Sequence, residues 1–237
     1  MKVAISKERR AFERRVAASP GTVKKLVALG AEVIVEAEAG AGADVSDAAF
    51  AEAGAGIVES EGAAFEGADV VLKVQPPLAD EPDEVGLMKE GALLIGLLAP
   101  TAEPVLVAAY AARGLTTVAL EYLPRISRAQ SMDALSSQSN LAGYKAVLDA
   151  AVEYGRVLPM MMTAAGTIAP ARVLILGAGV AGLQAIATAR RLGAIVAAFD
   201  VRAAVMEQVE SLGARFIEVP ALDETAESED GYARDMG

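Results

Sequence analysis

Histidine and cysteine are both missing from this chain of 237 residues. Without cysteine there is no disulfide and no thiolate nucleophile. Without histidine the commonest general base and the commonest metal ligand are gone. Much catalytic chemistry is thereby closed, and no metal site is expected. Aromatic residues are scarce at 4%, against 54% hydrophobic residues overall. A sizeable core must therefore be built mostly from Ala, Val, Leu and Ile. Positive charge is also in deficit. Lys and Arg number 21 against 32 Asp and Glu, a net charge of −11, and no dense basic patch stands out. Neutralising a phosphate backbone needs clustered cations, so nucleic acid is not an expected partner.

Long apolar runs are lacking too. The N-terminus, Met1-Lys2-Val3-Ala4-Ile5-Ser6-Lys7-Glu8, has too short an apolar part for a signal peptide. The best candidate for a membrane span, residues 173–189, carries no charge. It is broken by Gly177, Gly179 and Gly182, flanked by Arg172 and Arg190, and short for a bilayer. The chain is expected to be cytoplasmic, without direct membrane insertion.

What is present is a regular alternation of strand-like and helix-like stretches. Residues 3–6 read as a strand, and residues 7–15 as a highly charged loop. Pro20 after the capping residue Ser19 opens a helix that Gly30 stops. Strands follow at 32–36, 56–59, 68–74, 93–97 and 116–119, with helical stretches between them. This pattern predicts a parallel α/β domain over residues 1–124. Lys73, at a strand end, either faces a cleft between domains or reaches solvent. Residues 125–140 differ in kind, being polar and dense in donors and acceptors. A loop between domains is a natural place for substrate-facing groups, although composition by itself favours a solvated linker. A helix is predicted from about Ser136 to Tyr154, packed through Leu141, Tyr144, Leu148 and Ala151. The run Met160-Met161-Met162 reads as flexible packing material.

The second domain, residues 125–237, is organised around Arg172-Val173-Leu174-Ile175-Leu176-Gly177-Ala178-Gly179-Val180-Ala181-Gly182-Leu183. A short apolar run meets a G-x-G-x-x-G turn, and a helix-forming run continues from Leu183 to Leu192. Asp200 follows at the end of a second apolar run. This is the pattern of a dinucleotide-binding site. Gly177 permits the tight turn, Gly179 lets backbone approach a pyrophosphate, and Gly182 lets helix lie against strand. Free N–H groups at the helix start receive phosphates, and Asp200 accepts from the ribose hydroxyls. A carboxylate there opposes a 2′-phosphate, which favours NAD over NADP, with Arg202 nearby as a counterweight. A further helix over residues 203–212 and a strand over 215–219 precede an acidic stretch, 220–237, bearing Tyr232. Complete domains of this kind have about six strands. With three after Pro170, the second domain is expected to be truncated, a piece of a longer protein. The fold class expected is α/β, two parallel-sheet Rossmann-like domains with a cleft between them.

Arg125-Ile126-Ser127-Arg128-Ala129-Gln130-Ser131-Met132-Asp133 and Ser136-Ser137-Gln138-Ser139-Asn140-Leu141-Ala142-Gly143-Tyr144 resemble the signature of the NAD(H)-binding component, domain I, of proton-translocating NAD(P) transhydrogenase. The stretches from Met160 to Thr167, Gly177 to Ala189, Asp200 to Ala204, and Gly231 to Ala233 are similar to it as well. The resemblance implies Si/Re-specific hydride transfer between NADH held here and NADP+ held by a separate NADP(H)-binding subunit. A membrane-spanning subunit would couple the transfer to proton translocation, placing this chain at the periphery of the inner membrane. It further implies a homodimer. Arg125, Asp133 and Ser136 match positions that hold the nicotinamide end, and Gln130 one that reaches the NADP side. Gly177, Gly179, Val180, Ala181, Gly182, Asp200, Val201 and Arg202 match the NAD-binding turn and strand end. Tyr232 matches a mobile loop, here 220–237, that closes over the nucleotide.

Direct transfer of hydride between two nicotinamides needs no proton added or removed at carbon. The missing histidine is then no obstacle; the task is to exclude water and align two ring carbons. Alanine dehydrogenase shares the architecture, and Lys73 and Arg15 resemble its substrate-binding positions. That enzyme uses a catalytic histidine, which this chain cannot supply. A non-catalytic NAD-sensing module would keep Gly177 to Asp200 and have no use for the polar loop.

Overall fold

The computed structural model describes residues 1–124 and 126–218. The chain divides into two compact units, Met1–Asp133 and Ala134–Gly237. The division falls a little beyond the Pro124 boundary expected from the strand–helix alternation.

The first unit runs β1 (Lys2–Ile5), α1 (Pro20–Ala28), β2 (Glu32–Glu36), α2 (Asp47–Glu52), β3 (Gly56–Val58), α3 (Glu61–Phe65), β4 (Val70–Leu72), α4 (Glu84–Leu87), β5 (Leu93–Gly96), α5 (Pro104–Ala112) and β6 (Thr116–Ala119). All six strands are parallel in the order β3-β2-β1-β4-β5-β6. Strand alternation assigns the core residues. Val3 and Ile5 lie in one buried cluster with Val33, Val35, Val23 of α1 and Phe50 of α2. Ala4 lies in another with Val71, Leu94, Phe65 of α3, Val85 of α4 and Tyr110 of α5. Apolar side chains thus leave the sheet on both faces, and helices cover both, as a parallel sheet requires. Ser19, Ser46 and Ser60 cap α1, α2 and α3 by accepting from Thr22, Ala49 and Ala63 N–H groups, satisfying otherwise orphaned donors.

Residues 125–140, read from the sequence as a loop, are largely helical. Residues Ser127–Met132 form a 3-10 helix, and α6 (Ala134–Tyr154) begins before Ser136. A polar composition conceals a helix when few of its side chains are buried. The expected packing line of α6 is also corrected. Leu141 and Tyr144 are exposed, at 59% and 47%, whereas Gly143 and Val147 are buried.

The second unit continues with β7 (Met161–Thr163), β8 (Gly166–Ile168), β9 (Arg172–Leu176), α7 (Val180–Arg191), β10 (Ile195–Phe199), α8 (Met206–Ser211) and β11 (Arg215–Phe216). Strands β11-β10-β9 form a parallel sheet in that order. Val173, Ile175, Val196 and Ala198 pack with Val147 of α6 and Ile186 of α7. The alternate residues Leu174, Leu176 and Ile195 are exposed. Strands β7 and β8 pair antiparallel as a separate hairpin. Its Met161, Met162 and Ile168, with Met160 beside it, are all exposed, so the methionine run is not core packing.

Candidate functional site: a nucleotide-binding turn

Strand β9 ends at Leu176, and the chain reverses at Gly177, whose φ of +92° lies in the region that side chains avoid. Ala178 is buried, and Gly179 is the extended residue before α7. Its side-chain position is open, with a Cβ there meeting only Arg202 Nη2 at 4.0 Å. Gly182 is the opposite case. A Cβ on it would stand 1.8 Å from the Gly177 carbonyl oxygen. The first turn of α7 therefore presses directly on the turn that precedes it, and only a glycine fits. The helix consequently starts at Val180 and not at Leu183. With no side chain capping Gly179, its first N–H groups face outward as a receptor for an anion.

Asp200 follows β10 and is buried to 8% exposure. Its Oδ2 accepts from Ala178 N–H at 2.6 Å and from Arg202 Nη2 at 3.0 Å. Its Oδ1 accepts from Arg202 N–H at 2.8 Å and from Arg202 Nε at 2.9 Å. Burial alone would raise its pKa. The Arg202 side chain and the two backbone donors outweigh burial and hold the carboxyl below its ordinary value. One side chain thus ties the strand end of β10 to the glycine turn after β9. Val201 is half-buried beside it.

Helix α6 passes close to this turn. A Cβ on Gly143 would stand 2.0 Å from the carbonyl oxygen of Ala181, so backbone meets backbone where α6 crosses α7. Ser136 is half-buried, two turns earlier on α6, about 10 Å along its axis. Gln130 is exposed on the 3-10 helix of the first unit, and Asp133 is half-buried at its end. Arg125, Tyr232 and the stretch 220–237 lie outside the described residues.

Lys73 departs from both expectations. It neither reaches solvent nor faces open space. Its Nζ contacts Glu84 Oε1 at 2.6 Å and Glu8 Oε2 at 3.6 Å, and donates to Ser6 Oγ at 3.3 Å. Parallel sheets take ligands beyond the strand ends where the strand order reverses, here between β1 and β4. In this unit that position is filled by the protein's own ion pairs. Arg15 is held by Glu13, with Nε to Oε1 at 2.8 Å and Nη2 to Oε2 at 2.6 Å. The Arg15 hydrogen bonds, opposed by burial and aided by Gln75, bring the Glu13 pKa down to about 2. No periodicity in the sequence announces the Lys73 pairs, because their partners are distant in the chain.

Residues 4–142 match the alanine dehydrogenase/PNT N-terminal domain, and residues 146–235 the corresponding C-terminal domain. The chain belongs to the alanine dehydrogenase/PNT family. It is 60% identical to the first portion of NAD(P) transhydrogenase subunit alpha of Rhodospirillum rubrum, over all of this chain and 62% of that protein. Among solved structures, transhydrogenase from Sinorhizobium meliloti is 54% identical with a TM-score of 0.88, covering 93% of this chain and 62% of that one. An L-alanine dehydrogenase structure is 32% identical with a TM-score of 0.77, covering 91% and 60%. The chain therefore spans about three-fifths of the length of these family members. Both solved structures carry the Rossmann-like architecture expected from the strand and helix pattern.

Proposed function

We propose that this family member is the NAD(H)-binding component of a proton-translocating, Si/Re-specific NAD(P) transhydrogenase. The observation that carries this reading is the glycine turn from Gly177 to Gly182 locked to the buried Asp200. A pyrophosphate fits the open N-terminus of α7 over Gly179, Val180 and Ala181. Asp200, with Val201 and Arg202 beside it, suits the adenosine ribose. NADH, when bound, supplies the hydride. Arg125, Asp133 and Ser136 orient its nicotinamide, Gln130 contacts the NADP(H) of the partner, and Tyr232 closes over the nucleotide; these roles rest on the resemblance. The partners are an NADP(H)-binding subunit and a membrane-spanning subunit, which place the chain at the cytoplasmic face of the inner membrane. No described helix is long and apolar enough to cross a membrane, so attachment through partners is the consistent arrangement.

Two features favour transhydrogenation over alanine oxidation. The chain has no histidine to act as a general base, and relatives at high identity carry the transhydrogenase name. The decisive experiment mixes the complete NAD component with its NADP(H)-binding partner and follows NADH oxidation against NADP+ reduction. Coupled oxidation and reduction is expected, with neither when the partner is omitted. Alanine oxidation without a second nucleotide domain would place the chain with the dehydrogenases. NADH binding without transfer would make it a sensing module.

A further inference from the structure

The first unit buries more negative charge than it neutralises. Around the strand ends of β1, β2 and β4 stand four carboxyl groups, Glu8, Glu36, Glu61 and Glu84, each with a side chain 7% exposed or less. Among the described residues, two cations face them, Lys73 and Arg9. Lys73 is taken by Glu84 and Glu8. Arg9 binds Glu36 through Nη2. Glu36 also accepts from the Lys7 N–H, Glu8 from the Val74 and Gln75 N–H groups, and Glu84 Oε2 from the Leu78 N–H at 2.7 Å.

Glu61 is left with the poorest share. The cation paired with it is Arg9, whose Nε lies 3.7 Å from Oε2 and which is already engaged by Glu36. Its Oε1 is buried with no donor aimed at it among the described residues. Its carboxyl is in hydrogen-bonding contact with that of Glu84. Two carboxyl groups can share such a contact only when one carries a proton. Glu84 has Lys73 and a backbone donor to keep it ionised, so the proton belongs to Glu61.

We propose that Glu61 is held neutral at physiological pH and donates its proton to Glu84, forming a pH-sensitive latch between the first turns of α3 and α4. Burial, then the contact with Glu84 and its charge, push Glu61 up to about 8. Glu84 moves the other way. Burial opposes the shift, but the hydrogen bond from Glu61, Lys73 and the Leu78 N–H together lower it. The sign follows. A proton bound more tightly in the folded state stabilises it fully below about 4.5, and this contribution is lost as pH rises through about 8. Unfolding between those values releases about one proton from this residue. Above the upper value the ionised Glu61 faces Glu84 and Glu8 across a dry site, with Arg9 committed elsewhere. Glu8 is itself raised by burial, so the parent protein alone cannot isolate Glu61.

The test compares the protein with Glu61→Gln, whose amide donates to Glu84 and carries no titrating proton. Unfolding of both is followed by denaturant at a series of pH values from 5 to 9. The variant is expected to gain on the parent steadily as pH rises towards 8. A difference that stays constant across the series overturns the proposal. Carboxyl carbon NMR of Glu61 in the unmodified protein gives a second reading that does not depend on how the variant folds. Titration near 8 supports the latch, and titration in the ordinary glutamate range refutes it.

Discussion

Asp200 already has four donors in the unliganded protein, three of them from Arg202. A carboxylate has about four acceptor sites, so a ribose must displace one of these bonds. The Arg202 side chain is the one that can leave without breaking the turn. Asp200→Ala should therefore act twice. It should weaken NADH binding roughly ten- to a hundredfold, the worth of hydrogen bonds to a charged group. It should also release Arg202 to meet a 2′-phosphate, narrowing the gap between NADH and NADPH. Titration calorimetry of both nucleotides decides this, and the double change Asp200→Ala with Arg202→Ala should restore much of the gap. Equal affinities in the unmodified protein would show that Asp200 does not choose the cofactor. Asp200 was legible in the sequence because its role depends on local spacing after a glycine turn. Lys73 was not, since the groups that bury it, Glu8 and Glu84, come from other segments of the chain.

The same division between local and distant determinants governs the elements. The strands of the first unit and α1 announce themselves through apolar runs, a serine cap and a stopping glycine. Helix α6 does not announce its packed side, because the residue that sets it has no side chain. Gly143 brings α6 against Ala181 of α7, and the larger Leu141 and Tyr144 fall outside the contact. Gly143→Ala should thus be costly, about 1–3 kcal/mol or more for forcing two backbones apart. It should weaken NADH binding as well, since the displaced partner is the first turn of α7. Denaturant unfolding and an NADH titration on the same variant test both, and unchanged stability would show that the helices relax freely. The hairpin β7–β8 makes a different prediction. Every strand residue in it is exposed, including Met161, Met162 and Ile168, and an exposed apolar hairpin is a natural surface for the proposed homodimer. Sedimentation of the complete NAD component should show dimers at micromolar concentration. Met161→Asp with Met162→Asp should shift them towards monomer. A dimer indifferent to these changes would place the interface elsewhere.

At the scale of the whole assembly, the question is what distinguishes holding a nucleotide from passing on its hydride. The glycine turn and Asp200 account for holding and would serve any enzyme of this fold. Gln130 is the residue on which the distinction turns. It lies exposed on the 3-10 helix Ser127–Met132, and its carbonyl caps that helix by accepting from Asp133 N–H at 3.3 Å. The backbone there is fixed while the side chain remains outward, as a contact to a partner's nucleotide requires. If Gln130 touches NADP(H) on the partner, its hydrogen bond exists only in the assembled complex. Such an interaction contributes to turnover and leaves the ground-state affinity for NADH alone. Losing a bond of about 1–3 kcal/mol should slow hydride transfer roughly ten- to a hundredfold. The measurement uses the complete NAD component with its NADP(H)-binding partner, comparing Gln130→Asn with the parent in NADH titration and single-turnover transfer. Slower transfer with unchanged NADH affinity is the expected pair of results. Weakened NADH binding with normal transfer would move Gln130 to the nucleotide held by this chain. No change in either would reduce residues 125–140 to a connection between the two units, and the capacity to transfer hydride would have to come from groups other than these.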